Sequence, residues 1–298
     1  MPRNISTLIV STFALMLPSA GTAEDRELQG RDFWAFQPPR RSAAPLVKDR
    51  SWPRGDFDRF VLARLEAVGL SPTNDADRAT LVRRIYFDLI GLPPTIQQID
   101  NFLNDKSSDA IAKVVDQLLD SPHFGERWGR HWLDVARYAD STGGGRSLLL
   151  PNAWRYRDYV IDSFNRDKSF DQFIREQVAG DLLPAENDSQ RAEQLIATAF
   201  LMIGAHNYEL QDKDQLRMDV VDEQIETIGR AFLAQTLGCA RCHDHKFDPI
   251  PTKDYYALAG IFRSTKSLTP GNVSGFEQHE LPVSPERRAE LDKHAAAV

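Results

Sequence analysis

Apolar residues recur at three- and four-residue spacing along most of the chain, the period of a helix with one buried face. Phe57, Phe60, Val61, Leu65 and Val68 form the first such stripe, with Asp56 as its expected cap. Leu81, Val82, Ile85, Leu89 and Ile90 form the second, stopped by Gly91 and Pro93-Pro94. The same spacing predicts helices over 95–103, 108–119, 128–136, 154–164, 170–178 and 192–202. Val221, Ile225, Ile228 and Phe232 then give a stripe that runs to Gly238, and a short helix over 253–262 follows Pro249 and Pro251. No internal repeat and no alternating strand set is present. The fold class is therefore mainly α: an irregular multi-helix domain with an extended N-terminal strap.

The strap covers 24–54. Pro38-Pro39, Pro45 and Pro53 keep it out of helix, and Phe33-Trp34-Ala35-Phe36 reads as the anchor that docks it. The helical domain covers 55–266. From 267 to 298 the chain reads as loop and then as a charged helix starting at Pro285, the opening of a further region. Gly143-Gly144-Gly145 and the residues up to Pro151 read as a mobile loop. A phosphate cradle there would need a preceding strand and a following Lys-Ser/Thr pair, and neither is present.

Composition narrows the class. The 298 residues are 42% hydrophobic and 27% charged, so most of the chain can fold. A net charge of -7 argues against a nucleic-acid partner. Two cysteines are too few for a disulfide-stapled domain. Arg3, a mostly apolar run over 8–17 and the small residues Ser19 to Ala23 form the pattern of a secretory signal cleaved after Ala23. The run is shorter than the roughly 20 apolar residues of a membrane span, and no later segment is apolar enough. The mature chain is expected outside the cytoplasm, periplasmic or extracellular, with no membrane span.

The chemistry concentrates in Cys239-Ala240-Arg241-Cys242-His243. Two thiols separated by two residues can add to the two vinyl groups of a haem, and a histidine directly after the second can ligate its iron. Cys239 and Cys242 are thus the expected covalent attachment points of one haem c, and His243 its proximal ligand. The exported compartment agrees, since attachment takes place outside the cytoplasm. Three alternatives use the same residues. Zinc could take Cys239, Cys242 and either His243 or His245, but needs a further ligand such as His206 or His279. A redox Cys-x-x-Cys pair belongs in a βαβ unit, which these helical surroundings lack. A structural disulfide is disfavoured by the closeness of the pair.

The run continues as Asp244-His245-Lys246-Phe247-Asp248-Pro249-Ile250 and then Asp254-Tyr255-Tyr256. It resembles the planctomycete-type secreted cytochrome c domain, a family of otherwise undefined function. Further runs are similar to those of that family. They are Trp34 to Pro38, Asp58 to Val61, Asp88 to Pro94, Gly125 to Asp134 and Ala179 to Pro184. Together they cover roughly 30–266. The resemblance implies export, a mainly helical fold and a position at the N-terminal end of a longer architecture, where a second domain usually follows. The stretch from Gly143 to Leu150 departs from the family pattern.

The sixth ligand is open. Met218 and Met202 are soft candidates of the electron-transfer kind. His131, beside Trp128 and Trp132, reads more readily as a core histidine than as a ligand. His206 follows Gly204-Ala205 in a loop that could swing in. His245 lies too near the proximal ligand to cross the ring, and suits a polar role at the haem edge. Asp219, Asp222, Glu223 and Glu226 read as a solvated helix face in preference to a calcium site. Two functions follow. One is an electron-transfer module serving a redox partner protein or a following domain. The other is a haem enzyme with an open iron position; a zinc-held binding module is the third possibility.

Overall fold

A computed structural model of the chain describes residues 37–145 and 147–283, with 288, 289 and 293 beyond them. The expected signal, the aromatic anchor at 33–36 and most of the expected terminal helix lie outside the described residues. The chain divides into two compact units. One runs up to Leu70 and takes in Phe247–Pro249; the other holds Ser71–Lys246 and the chain from Ile250 onward.

In the smaller unit the strap precedes α1 (Asp56–Ala67). The cap of α1 is Gly55 and not Asp56, because Asp58 reaches back to the Gly55 and Arg54 N–H groups at 3.1 and 2.8 Å. The strap is held through the Glu66 carboxylate, which accepts from the Lys48 and Asp49 N–H groups at 3.0 Å each.

The larger unit begins with α2 (Arg78–Leu89), α3 (Ile96–Asn104) and α4 (Ala110–Leu119). Asp77 and Thr95 cap the first two through their side-chain oxygens, which accept N–H groups the helices leave unpaired. Val82, Tyr86, Phe102, Ala110 and Leu118 close a small core between them. Next come α5 (Pro122–Val135), α6 (Ala153–Asn165), α7 (Phe170–Ala179) and α8 (Asp188–Ala197). Helix α5 starts earlier than its tryptophans suggest, since Ser121 caps it and Pro122 occupies its first turn. Helices α5 and α6 pack closely at Gly125, where a Cβ would come within 2.3 Å of the Ile161 carbonyl.

Trp132 centres the main core. Its ring meets Phe173, Phe200 and Phe232 at centroid distances of 5.0, 5.9 and 5.8 Å. Its Nε1–H donates to Gln177 Oε1 at 2.8 Å, so the buried indole keeps a polar partner. Each such buried aromatic contributes about 2 to 3 kcal/mol of transfer free energy.

A short 3-10 turn (Thr198–Leu201) follows α8, and then comes α9 (Lys213–Ile228). Helix α9 starts eight residues before the apolar stripe that marks it, because Asp212 caps its polar first turns through the Gln215 N–H at 2.9 Å. It also does not run to Gly238. It widens into a π turn (Gly229–Leu233), closed by Ala234 in the left-handed region at φ 53. A separate 3-10 turn (Leu237–Arg241) and α10 (Thr252–Arg263) complete the helices. Beyond them a two-stranded antiparallel ribbon pairs β1 (Leu268–Thr269) with β2 (Gly275–Phe276), Leu268 opposite Phe276. The fold is mainly α, as the spacing predicts.

Candidate functional site

The cysteine motif begins on the 3-10 turn Leu237–Arg241, with Cys242 as the residue that ends the turn and His243 beyond it. Three residues per turn put positions three apart on one side. Leu237 and Ala240 therefore share the inner side, buried against Val221 and Ile225 of α9 and Tyr255, Ala259 and Phe262 of α10. Cys239 and Cys242 are also three apart. Both are exposed and both are free thiols.

Hydrogen bonds hold the turn from behind. Glu226 accepts the Gly238 N–H at 2.7 Å. The Tyr256 hydroxyl donates to the Arg241 carbonyl at 3.1 Å, and the Tyr255 hydroxyl to Asp222 at 2.6 Å. Arg241 reaches Asp222 at 3.4 Å and Asp219 at 3.6 Å. After the turn, Asp244 accepts the Thr252 N–H at 2.8 Å and so caps α10. Residues 238–244 and 252–256 are thus tied by hydrogen bonds to one another and to α9.

His243 is exposed, and its Nδ1 lies 2.8 Å from the Asp244 carbonyl. A carbonyl only accepts, so Nδ1 is the donor, and in the neutral form of the ring Nε2 carries the lone pair a ligand would use. His245 is half-buried, with Nε2 3.4 Å from the Thr236 hydroxyl and its main-chain N–H on the Ile250 carbonyl. Two exposed thiols, one on the turn and one at its end, followed by an imidazole with its inner nitrogen occupied, fit the attachment chemistry of haem c.

The four candidates for a sixth ligand are scattered. Met218 is half-buried on α9, one turn before the Asp222 that binds Arg241. The sulfur of half-buried Met202 is 3.4 Å from Gln224 Nε2. His131 is exposed, not a core histidine: it lies on the outer side of α5, 5.6 Å edge-on from Trp128, while Trp132 takes the inner side. His206 is 4% exposed, and its main-chain N–H is fixed to the Thr142 carbonyl at 3.0 Å, which opposes a swing.

The triple glycine is likewise tied down and not free. Gly143 bridges to His206, Thr142 is buried, and a Cβ on Gly144 would stand 2.7 Å from the His206 carbonyl carbon. Behind this contact lies a cavity of about 360 Å³ lined by Gly144, His206, Asn207, Asp219, Asp222 and Glu223. Of the acidic side chains of α9, Asp219 is exposed as expected, while Asp222, Glu223 and Glu226 are partly buried and not a solvated face. Asp219 and Asp222 bind Arg241, Glu223 binds Arg137, and Glu226 binds Arg230 as well as Gly238.

Sequence reasoning missed Arg137. It follows α5 in a left-handed conformation at φ 55, a strained position for a residue with a Cβ. Its Nε and Nη2, the Nε2 of His206 and the Oε1 of Gln224 are buried without hydrogen-bond partners among the described residues. Native interiors rarely leave such atoms unpaired without water or a ligand. Burial first, and then the Arg137 charge, hold His206 down to about 4, so its ring is neutral. An arginine just past a helix end carries no periodic signal, and the sequence runs say nothing of its backbone. Among the described residues, no three His, Cys, Asp or Glu side chains converge as a metal site.

A mainly helical domain displaying its one cysteine pair on a short turn is thus the class that fold and site define. Residues 56–267 match a family described as a protein of unknown function, DUF1549, also named PSCyt2, and the chain belongs to that family. No curated protein and no solved structure matches the chain.

Proposed function

We propose that the protein is an exported c-type haem protein that passes single electrons to a redox partner protein or a following domain. Cys239 and Cys242 would hold the haem and His243 would ligate its iron. The observation that carries this reading is the exposure of both free thiols, one on the 3-10 turn and one at its end, beside an imidazole whose Nδ1 is already bonded to the Asp244 carbonyl. When bound, the haem supplies a one-electron couple. The chain's own residues would position it: Glu226 and Tyr256 fix the turn, and Asp244 ties the segment after it to the start of α10. Met218 is the favoured sixth ligand, because it lies on the helix that carries the turn.

The test is expression in a host with haem-attachment machinery, followed by haem staining of denatured protein. Covalent stain is expected in the wild type. Single thioether attachment weakens it in Cys239→Ser and Cys242→Ser, and the double variant loses it. Stain that survives in the double variant, or no stain in the wild type, sinks the proposal. Spectra of the oxidised and reduced forms then report coordination. Six-coordinate iron that turns five-coordinate in Met218→Ala supports the ligand assignment.

The enzyme reading draws on a different observation, the unpartnered polar atoms beside the cavity at His206. Five-coordinate iron in the wild type favours it.

A further inference from the structure

A second cleft, of about 330 Å³, opens between the first turns of α9 and the segment leading into the β-ribbon. Three cations line it: Lys213, Arg217 and Lys266. Lys213 Nζ donates to the Leu210 and Asn272 carbonyls at 2.7 and 3.4 Å, and Arg217 Nη2 donates to the Arg263 carbonyl at 2.5 Å. Carbonyl acceptors orient these cations without cancelling their charge. Each cation also keeps donors beyond those bonds: a third N–H on Lys213, and Nε and Nη1 on Arg217. Lys266 is paired with Glu277 at 3.1 Å and is largely exposed, so it adds least. The Asp212 carboxylate at the head of α9 is committed to the Gln215 N–H.

The second observation is Ser274. It lines the same cleft, is 3% exposed, and its Oγ has no hydrogen-bond partner among the described residues. Its main-chain N–H donates to the Tyr208 carbonyl at 2.8 Å, which fixes the backbone that carries the hydroxyl. A buried donor left unpaired is costly, and a ligand oxygen would relieve that cost. Leu216, Leu268 and Pro270 give the cleft an apolar wall.

We propose that this cleft binds a small organic oxyanion, its charged head on Lys213, Arg217 and Ser274 and its apolar body on Leu216 and Leu268. The chain's net charge of -7 repels anions at long range, so selective capture rests on these local donors. The shared chemistry is a carboxylate, phosphate or sulfate oxygen taking charge-assisted hydrogen bonds.

Phosphate, sulfate and acetate serve as probes, each titrated into the full chain by calorimetry at fixed ionic strength with sodium chloride as the control. At least one should bind saturably, and the tightest identifies the head group. Arg217→Gln should weaken that binding about tenfold. Ser274→Ala should weaken it several-fold, and Lys266→Gln less than either. Circular dichroism checks that each variant is folded. If Arg217→Gln is not, Lys213→Gln takes its place, and Ser274→Ala tests the site without removing a charge. No saturable binding by any probe, or an affinity unchanged in the folded cation variant and in Ser274→Ala, overturns the proposal.

Discussion

His206 is a histidine made neutral by its surroundings. The ring is buried beside Arg137, and its proton affinity falls from 6.5 to about 4. The unfolded chain takes up a proton at that position as pH drops through 6.5, while the folded chain resists until about 4. Protons therefore favour the unfolded state across this window. The group's contribution is fully present above 6.5 and is lost on acidification, about 3 kcal/mol in all. Denaturant unfolding at pH 7 and pH 4.5 reads it. The wild type should lose more stability between the two pH values than His206→Leu does, and equal losses would show that the ring does not hold off its proton. The nearby Gly144 has no room for a side chain, so Gly144→Val should destabilise by about 1 to 3 kcal/mol, read as a lower unfolding midpoint.

Among the elements, α9 organises the candidate site. Its acidic side chains bind Arg241, Arg137 and the Gly238 N–H, and the motif turn rests on its apolar side. Glu226→Ala leaves the Gly238 N–H without its carboxylate. It should cost about 2 kcal/mol and, in a haem-loaded preparation, lower the yield of attached haem. Unchanged stability and yield would show that the turn holds itself.

Much of this was legible in the sequence. The stripes at Leu81 to Ile90 and at Trp154 to Phe164 mark α2 and α6 to within a few residues, because each buries one side against a neighbour. The first two turns of α9 were not legible: Lys213 to Asp219 carry mostly polar side chains, and only the Asp212 cap announces the helix. The cysteine motif is readable as a motif, but its placement on a separate 3-10 turn is not, because the π turn before it leaves no apolar period. The cavity was least legible of all. It depends on Gly144, His206 and the acidic residues of α9 meeting from segments far apart in sequence.

At the scale of the whole molecule, packing is supplemented by a buried ionic cluster. Lys168 and Glu176 meet at 2.5 Å with side chains 8% and 2% exposed, and Tyr159 donates to the same carboxylate at 2.8 Å. Removing one partner of such a pair strands the other. Lys168→Met should cost about 3 to 5 kcal/mol in denaturant unfolding, and Lys168→Met with Glu176→Leu should recover most of it. Arg175→Gln, which breaks an exposed pair with Asp171, should cost less than about 1 kcal/mol. A loss for Lys168→Met as small as that for Arg175→Gln would remove the cluster from the account of stability. No helix among the described residues is long and apolar enough to cross a membrane.

The π turn has a consequence for how this chain tolerates insertion and deletion. At Gly229–Leu233 the Ala234 N–H returns to the Gly229 carbonyl, five residues back instead of four. One residue removed there would let the α-helix close its usual ring and run on. The chain leaving the π turn would then start about 100° further round the helix and about 1.5 Å back. The thiols would leave the face that now displays them, although neither cysteine had been changed.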